Sequence, residues 1–240
     1  MRHSWKDEVV SELPEETFDQ AFSKLQKHVQ DLGFDYYSYT LIVATPVTKL
    51  NTRIFSNFPD AWEIQRSDKF GMDRDPILKY GLNCTKPFIW DVSDPQNKEY
   101  WQTAAAHKIH AGWSQAVRDH RGCIGIFSAA SHRKEMTLNE LNEITPKMIW
   151  IAQTAHATLS NKIYFEMLPN GAAKLSNREK EILLWSAEGK TVTEVAMILN
   201  ISERNIVFHI QNAMKKLNTS NKTQTVVTAA LLGLIPRTLI

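Results

Sequence analysis

Only two cysteines occur, Cys84 and Cys123, far apart and without a Cys-x-x-Cys pairing, so neither a disulfide framework nor a thiolate zinc site is indicated. No apolar run reaches the roughly 18 residues a membrane helix needs. The opening segment Met1 to Val10, with Lys6, Asp7 and Glu8, lacks the apolar core of a signal peptide. The expectation is a cytoplasmic protein with reduced thiols and no membrane association. Enzyme signatures are equally thin. Gly189-Lys190-Thr191 is preceded by Leu184 where a phosphate-binding loop needs glycine, and no Gly-x-Ser-x-Gly elbow occurs. His107 and His110 lie three apart with no third ligand in view. No enzyme, no metal site and no cofactor is expected.

What is present is a chain of 240 residues, 43% hydrophobic, enough to bury one large core or two modest ones. The net charge of +2 hides an asymmetry. Residues 175 to 240 carry eight Lys/Arg against five Glu, whereas the upstream residues include 20 basic and 21 acidic ones. The basic end is the candidate for nucleic acid. A boundary falls at Leu168-Pro169-Asn170-Gly171-Ala172-Ala173-Lys174, where helical periodicity stops among breakers and small residues. The expected division is a domain over 1–167, a linker over 168–174 and a second domain over 175–240.

Upstream, Phe18, Phe22, Leu25 and Val29 recur at three- and four-residue spacing within Glu15 to Leu32, an amphipathic helix stopped by Gly33. Tyr36 to Val43 is aromatic and β-branched and reads as a strand. Further strands are expected near Thr52 to Ser56, Trp113 to Val117 and Cys123 to Ala129, and helices over Ala61 to Lys69, Lys98 to Lys108 and Leu138 to Lys162. Helices first and last with strands between predict an α+β layout, an antiparallel sheet covered by helices. Alternating βα units, which a phosphorylated receiver domain needs, are not the pattern.

Downstream, Ser176 and Glu179 form a capping box that opens a helix ended by Gly189. Thr193 to Leu199 is a second, short helix. Ser202 caps a third of about 15 residues, and Asn221 to Leu232 makes a fourth. On the third helix Ile206, Ile210, Ala213 and Leu217 share one arc and should pack on Val195, Ala196 and Leu199. The opposite arc holds Arg204, Phe208, Gln211 and Lys215, flanked by Val207 and Asn212. That face suits a major-groove reader, in which cations hold phosphates while amide and apolar groups meet base edges.

Leu175 to Trp185, Glu188-Gly189-Lys190-Thr191, Glu194-Val195-Ala196, Ile201-Ser202-Glu203-Arg204 and Phe208-His209-Ile210 resemble the DNA-binding signature of the LuxR-type quorum-sensing regulators. Asn205 and Val207 depart from that signature, where threonine and a polar residue are usual. The resemblance extends upstream through Asn57 to Trp62, Asp75-Pro76-Ile77, Pro87 to Trp90 and Gly112-Trp113, which look like landmarks of an autoinducer-binding domain. It implies an α/β/α sandwich with a ligand cavity and an all-α four-helix helix-turn-helix domain that binds double-stranded DNA, at a pseudo-palindromic operator, as a homodimer. It also implies an acyl-homoserine lactone held by Trp62 through its indole N–H and by Asp75 through the amide N–H. Trp90 would pack on the head group and Ser128 would reach an acyl carbonyl.

The full expected ligand set adds Phe58, Arg66, Thr40 and Ile77, with Ile124, Ile126 and the Tyr37 to Ile42 strand as further walls. Arg66 stands where the family usually has a tyrosine, and predicts an oxygen-rich or anionic ligand or else a pairing with a nearby acid. The expected DNA set is Lys190, Thr191, Arg204, Val207, Phe208, Gln211, Asn212 and Lys215. The function so implied is a transcription regulator switched by a small diffusible signal; the alternative is a regulator of the same fold that is blind to lactones, its first domain serving dimerisation.

Overall fold

The computed structural model describes residues 17–43, 50–133, 137–168 and 175–235. Helix α1 (Phe18–Gln30) starts where the Thr17 hydroxyl accepts the Gln20 backbone N–H and the Gln20 side chain accepts that of Thr17, a reciprocal cap. Glu15, the expected first residue, lies outside the described residues. Strands β1 (Tyr36–Val43), β2 (Asn51–Ser56), β3 (Phe88–Asp91), β4 (Ala111–Arg118) and β5 (Ile124–Ser131) form one antiparallel sheet in the order β2-β1-β5-β4-β3. Helices α2 (Asp60–Lys69), α3 (Gly71–Arg74), α4 (Pro76–Asn83), α5 (Lys98–Ala106) and α6 (Leu138–Met167) accompany it. Sequence reading missed β3, which has only four residues, and α4, whose start is set by the carboxylate of Asp75 accepting from the N–H groups of Ile77 and Leu78.

Side chains alternate across a strand, and the two faces of this sheet differ sharply. On one, the Tyr37 hydroxyl donates to the Phe22 carbonyl at 2.6 Å and the Tyr39 hydroxyl lies 2.8 Å from Nδ1 of His156, so α1 and α6 cover it. On the other stand Ser38 and Thr40 of β1, then Gly112, Ser114 and Ala116 of β4 paired with Ala130, Ser128 and Ile126 of β5. Nearly all are small. The gap this leaves is filled by large rings from the connecting segments, and Gly112 is glycine because the Trp90 indole lies directly on it. Close approach of a ring is the reason, since any β-carbon there would collide with it.

The C-terminal helices are α7 (Asn177–Ala187), α8 (Val192–Leu199), α9 (Glu203–Leu217) and α10 (Lys222–Leu231). Each has a side-chain cap: Ser176 and Thr191 in capping boxes with Glu179 and Glu194, then Ser202 and Asn221. Gly189 follows α7 at φ 82°, and Asn200 and Asn218 end α8 and α9 at φ 51°, the left-handed positions these residue types tolerate best. Ile182, Val195, Ala196, Ile206 and Ile210 form the core, with Leu199 and Met214 partly buried against it. Lys216 of α9 donates to both carboxylate oxygens of Glu179 at 2.9 and 2.7 Å.

The chain divides into two compact units. The first comprises Met1–Leu41, Thr52–Arg118 and Ile124–Ile163; the second comprises Ile42–Asn51, Asp119–Cys123 and Tyr164–Ile240. In the second, Tyr164 donates its hydroxyl to the Leu232 carbonyl at 2.9 Å and carries the Arg121 guanidinium 4.6 Å from its ring. The expected linker 168–174 lies outside the described residues except for Leu168.

Candidate functional site

A small-residue sheet face beneath bulky helices makes a cavity in the first unit. Its walls are Ser38, Phe58, Trp62, Arg66, Ile77, Trp90, Tyr100, Trp101, Ala104, Ile109 and Ser128. Six residues singled out from sequence, Phe58, Trp62, Arg66, Ile77, Trp90 and Ser128, thus meet around one space. Helix α2 supplies Trp62 and Arg66 four residues apart on one face. The short edge strand β3 supplies Trp90, whose indole N–H donates to the Ser114 hydroxyl at 3.0 Å. That donor is spent internally, which leaves Trp90 a packing surface. It stacks on Trp101 with centroids 5.1 Å apart. The rings nearly close the cavity, whose volume is about 10 Å³, room for about one water molecule.

Asp75 is placed one layer back. It lines a neighbouring cavity of about 80 Å³ with Ile54, Glu63, Ser67, Gly71, Met72 and Leu78, and Arg66 belongs to the walls of both spaces. The Arg66 Nε donates to Oδ2 of Asp75 at 2.6 Å, and Tyr100 donates to the same oxygen at 3.3 Å. Oδ1 accepts the backbone N–H groups of Ile77 and Leu78 at 2.8 and 3.0 Å. Burial pulls the Arg66 guanidinium toward its neutral form, but Asp75, Tyr100 and Glu63 outweigh it and the net shift is upward. Burial, then Asp75, drives the Tyr100 phenol well above its ordinary range, so it remains a donor.

Thr40 is buried on the same face as Ser38 but is not among the cavity walls, and neither are Ile124 and Ile126; the Ile126 side chain packs against Gly81 of α4 instead. Of the Tyr37 to Ile42 strand expected to line the cavity, Ser38 is among the walls. Sequence reading overlooked Tyr100, Trp101, Ala104 and Ile109, the first three of which sit at helical spacing on α5, a signal that was legible. His107 Nε2 lies 2.7 Å from Oε1 of Gln65, and among the described residues no group of three metal-ligating side chains converges. Cys84 and Cys123 carry no disulfide, and burial pushes the Cys123 thiol up to about 12.

In the second unit α9 turns Ile206, Ile210, Ala213 and Leu217 inward, and Arg204, Val207, Phe208, Gln211 and Lys215 are exposed. Val207 and Phe208 keep 41% and 57% of their surface in water, apolar area that packing inside this unit leaves uncovered. Asn212 is half-buried at the edge of the same face. Thr191 caps α8 and Lys190, before it, offers its carbonyl to Lys222 at 3.3 Å. No helix among the described residues is long and apolar enough to cross a membrane.

A five-stranded sheet with a closed aromatic cavity, and four capped helices presenting a cationic and apolar face, define a ligand-sensing, DNA-binding regulator. The autoinducer binding domain family matches residues 17–159, and the family of bacterial regulatory proteins of the luxR type matches residues 173–229. The chain belongs to the LuxR family of quorum-sensing transcription regulators. It is 36% identical over 220 residues to the transcriptional repressor ThaA of Burkholderia thailandensis, covering 90% of this chain and 91% of that protein. It is 32% identical over 234 residues to the quorum-sensing regulator RhlR of Pseudomonas aeruginosa, covering 96% of each. The crystal structure of Escherichia coli SdiA matches with a TM-score of 0.86 at 30% identity over 96% of this chain and 98% of that one. SdiA in complex with octanoyl-rac-glycerol matches with a TM-score of 0.83 at 28% identity, covering 97% of each chain. The function is therefore transcription regulation controlled by an autoinducer.

Proposed function

We propose that the cavity walled by Trp62, Trp90, Trp101, Phe58, Arg66 and Ser128 is the signal site, that its ligand is an acylated small molecule, and that ligand governs DNA binding by α9. One observation carries the reading: side chains from α2, α5, β1, β3 and β5 converge on a single apolar space whose polar groups are few and specific, the composition of a small-molecule site. An acyl-homoserine lactone fits the apolar walls and the Trp62 indole N–H, and octanoyl-glycerol, the ligand of the SdiA complex, is a second acyl compound. Ligand sites commonly enclose about 300–1,000 Å³. Entry of either compound thus requires the Trp62, Trp90 and Trp101 rings to separate, and the bound form is stabilised by mass action.

On the DNA side Gln211, Phe208 and Val207 read base edges, with Asn212 beside them, while Arg204, Lys215, Lys190 and Thr191 hold phosphates. A homodimer on a pseudo-palindromic operator would place two copies of α9 in successive major grooves. We further assign residues 1–167 to sensing and dimerisation and 175–240 to DNA. The test pairs a thermal shift with a gel shift on the full chain, with and without acyl-homoserine lactones, octanoyl-glycerol and an organic extract of host culture. An acyl compound that raises the melting temperature and changes operator binding supports the reading; DNA binding indifferent to all of them overturns it and leaves a ligand-blind regulator.

A further inference from the structure

We infer that the cleft selects a neutral, amide-free acyl compound whose head offers carbonyl or ether oxygens, because Arg66 occupies the acceptor side of Asp75 and presents hydrogen-bond donors in its place. The inference rests on reading the cleft as an acyl-signal site and sharpens which acyl compound it takes. A carboxylate has about four acceptor positions. At Asp75 all are engaged: Oδ1 by Ile77 and Leu78, Oδ2 by Arg66 and Tyr100. A ligand amide N–H would have to displace one of these, and displacing Arg66 would break a buried ion pair, the costliest way to open the site.

The polar groups left to a ligand are mainly donors. Arg66 engages Asp75 through Nε, Glu63 through one Nη1 proton at 3.5 Å, and the Tyr100 hydroxyl, which leaves part of its five N–H groups for a ligand. The Trp101 indole N–H is fully buried without a partner, and that of Trp62 makes no hydrogen bond among the described residues. The Ser38 and Ser128 hydroxyls can both give and accept, and the Tyr100 hydroxyl, whose proton goes to Asp75, can accept. A buried donor without an acceptor is penalised, so acceptor oxygens are what the site lacks. A carboxylate is the wrong way to supply them, since the Arg66 charge is already answered by Asp75 at 2.6 Å and Glu63 at 3.5 Å.

The test compares N-octanoyl homoserine lactone with its isostere in which the amide N–H is replaced by an ester oxygen, and with octanoate, titrated into the full chain by tryptophan fluorescence. The wild-type protein is expected to bind the ester at least as tightly as the amide and octanoate at least about tenfold more weakly. In Arg66→Tyr, which frees one acceptor position on Oδ2 of Asp75 while Tyr100 keeps the other, the amide is expected to become the tighter ligand by about tenfold. Arg66→Lys, which keeps a cation beside Asp75 but has three donors in place of the five of the guanidinium fork, should lose about tenfold in ester affinity with the amide little changed, and serves where the tyrosine variant does not fold. A wild-type preference for the amide of tenfold or more, or tighter binding of octanoate than of the ester, overturns the inference while leaving the acyl-signal reading intact. Failure of all three probes on folded, DNA-binding protein removes the acyl-signal reading and the inference with it.

Discussion

Replacing Arg66 by methionine should destabilise the sensor unit by about 3 kcal/mol at neutral pH, and the number follows from what the guanidinium leaves behind. The two side chains of the pair are 9% and 1% exposed, with Nε and Oδ2 2.6 Å apart. Removing one partner of a buried pair costs about 3–5 kcal/mol because the other charge stays buried. The lower end applies here, since Asp75 keeps the Ile77 and Leu78 N–H groups and the Tyr100 hydroxyl. For a unit of roughly 150 residues each kcal/mol moves the melting temperature by about 2–4 °C, so the expected loss is about 6–12 °C.

The assay is urea unfolding followed by tryptophan fluorescence, run on Arg66→Met, Asp75→Asn and the double variant as a thermodynamic cycle. Trp62, Trp90, Trp101 and Trp113 are all buried in the sensor unit, so the signal reports chiefly on its unfolding. The double variant should cost about 2 kcal/mol less than the two single costs added together, because the second change no longer strands a charge. Additivity within about 0.5 kcal/mol would mean the side chains do not interact. The account of the site built on their pairing would then be wrong.

Three further outcomes are expected. Ser114→Ala strands the Trp90 indole N–H, which donates to that hydroxyl at 3.0 Å in a buried setting, and should cost about 1–3 kcal/mol in the same unfolding assay. Burial alone would raise the Glu179 carboxyl, but Lys216 and the Ser176 backbone N–H outweigh it and the net shift is downward. Its contribution is therefore fully present above the unfolded value of about 4.3 and is lost as pH falls through the lower folded value. Circular dichroism melts of the C-terminal helices between about pH 7 and pH 3 should show this loss, and Lys216→Met should flatten it. On DNA, Gln211→Ala should relax preference at one discrete operator position by about 1–3 kcal/mol, whereas Lys215→Ala should weaken specific and random DNA alike and reduce the salt slope by about one. Equal effects of both substitutions on the two kinds of DNA, read by fluorescence anisotropy across salt, would refute the assignment of the reading face.

Local chemistry by itself determined most of the second unit. Ser176, Thr191, Ser202 and Asn221 each cap a helix within reach of their own side chains, and Gly189 and Asn200 end two of them at positive φ. Such signals act over three or four residues, so they survive in the bare sequence. Strands β1, β2, β4 and β5 were likewise legible from their aromatic and β-branched runs. The four-residue strand β3 was not, because its only reason to be extended is its pairing with β4, a partner distant in the chain.

The sensor cleft was decided by tertiary structure. Trp62, Trp90 and Ser128 could be picked out as candidates, but only the packed sheet shows that its inner face is made of small residues and that rings from three separate segments fill the space. Only packing reveals that the Trp90 N–H is committed to Ser114, that Ile126 lies against Gly81 outside the cavity, and that Tyr100 and Trp101 belong to the wall. Arg66 and Asp75 are nine residues apart, and their types alone allow either a ligand contact or an ion pair. Their pairing at 2.6 Å exists because α2 and the cap of α4 bring both into one dry place, where a charge must find its opposite.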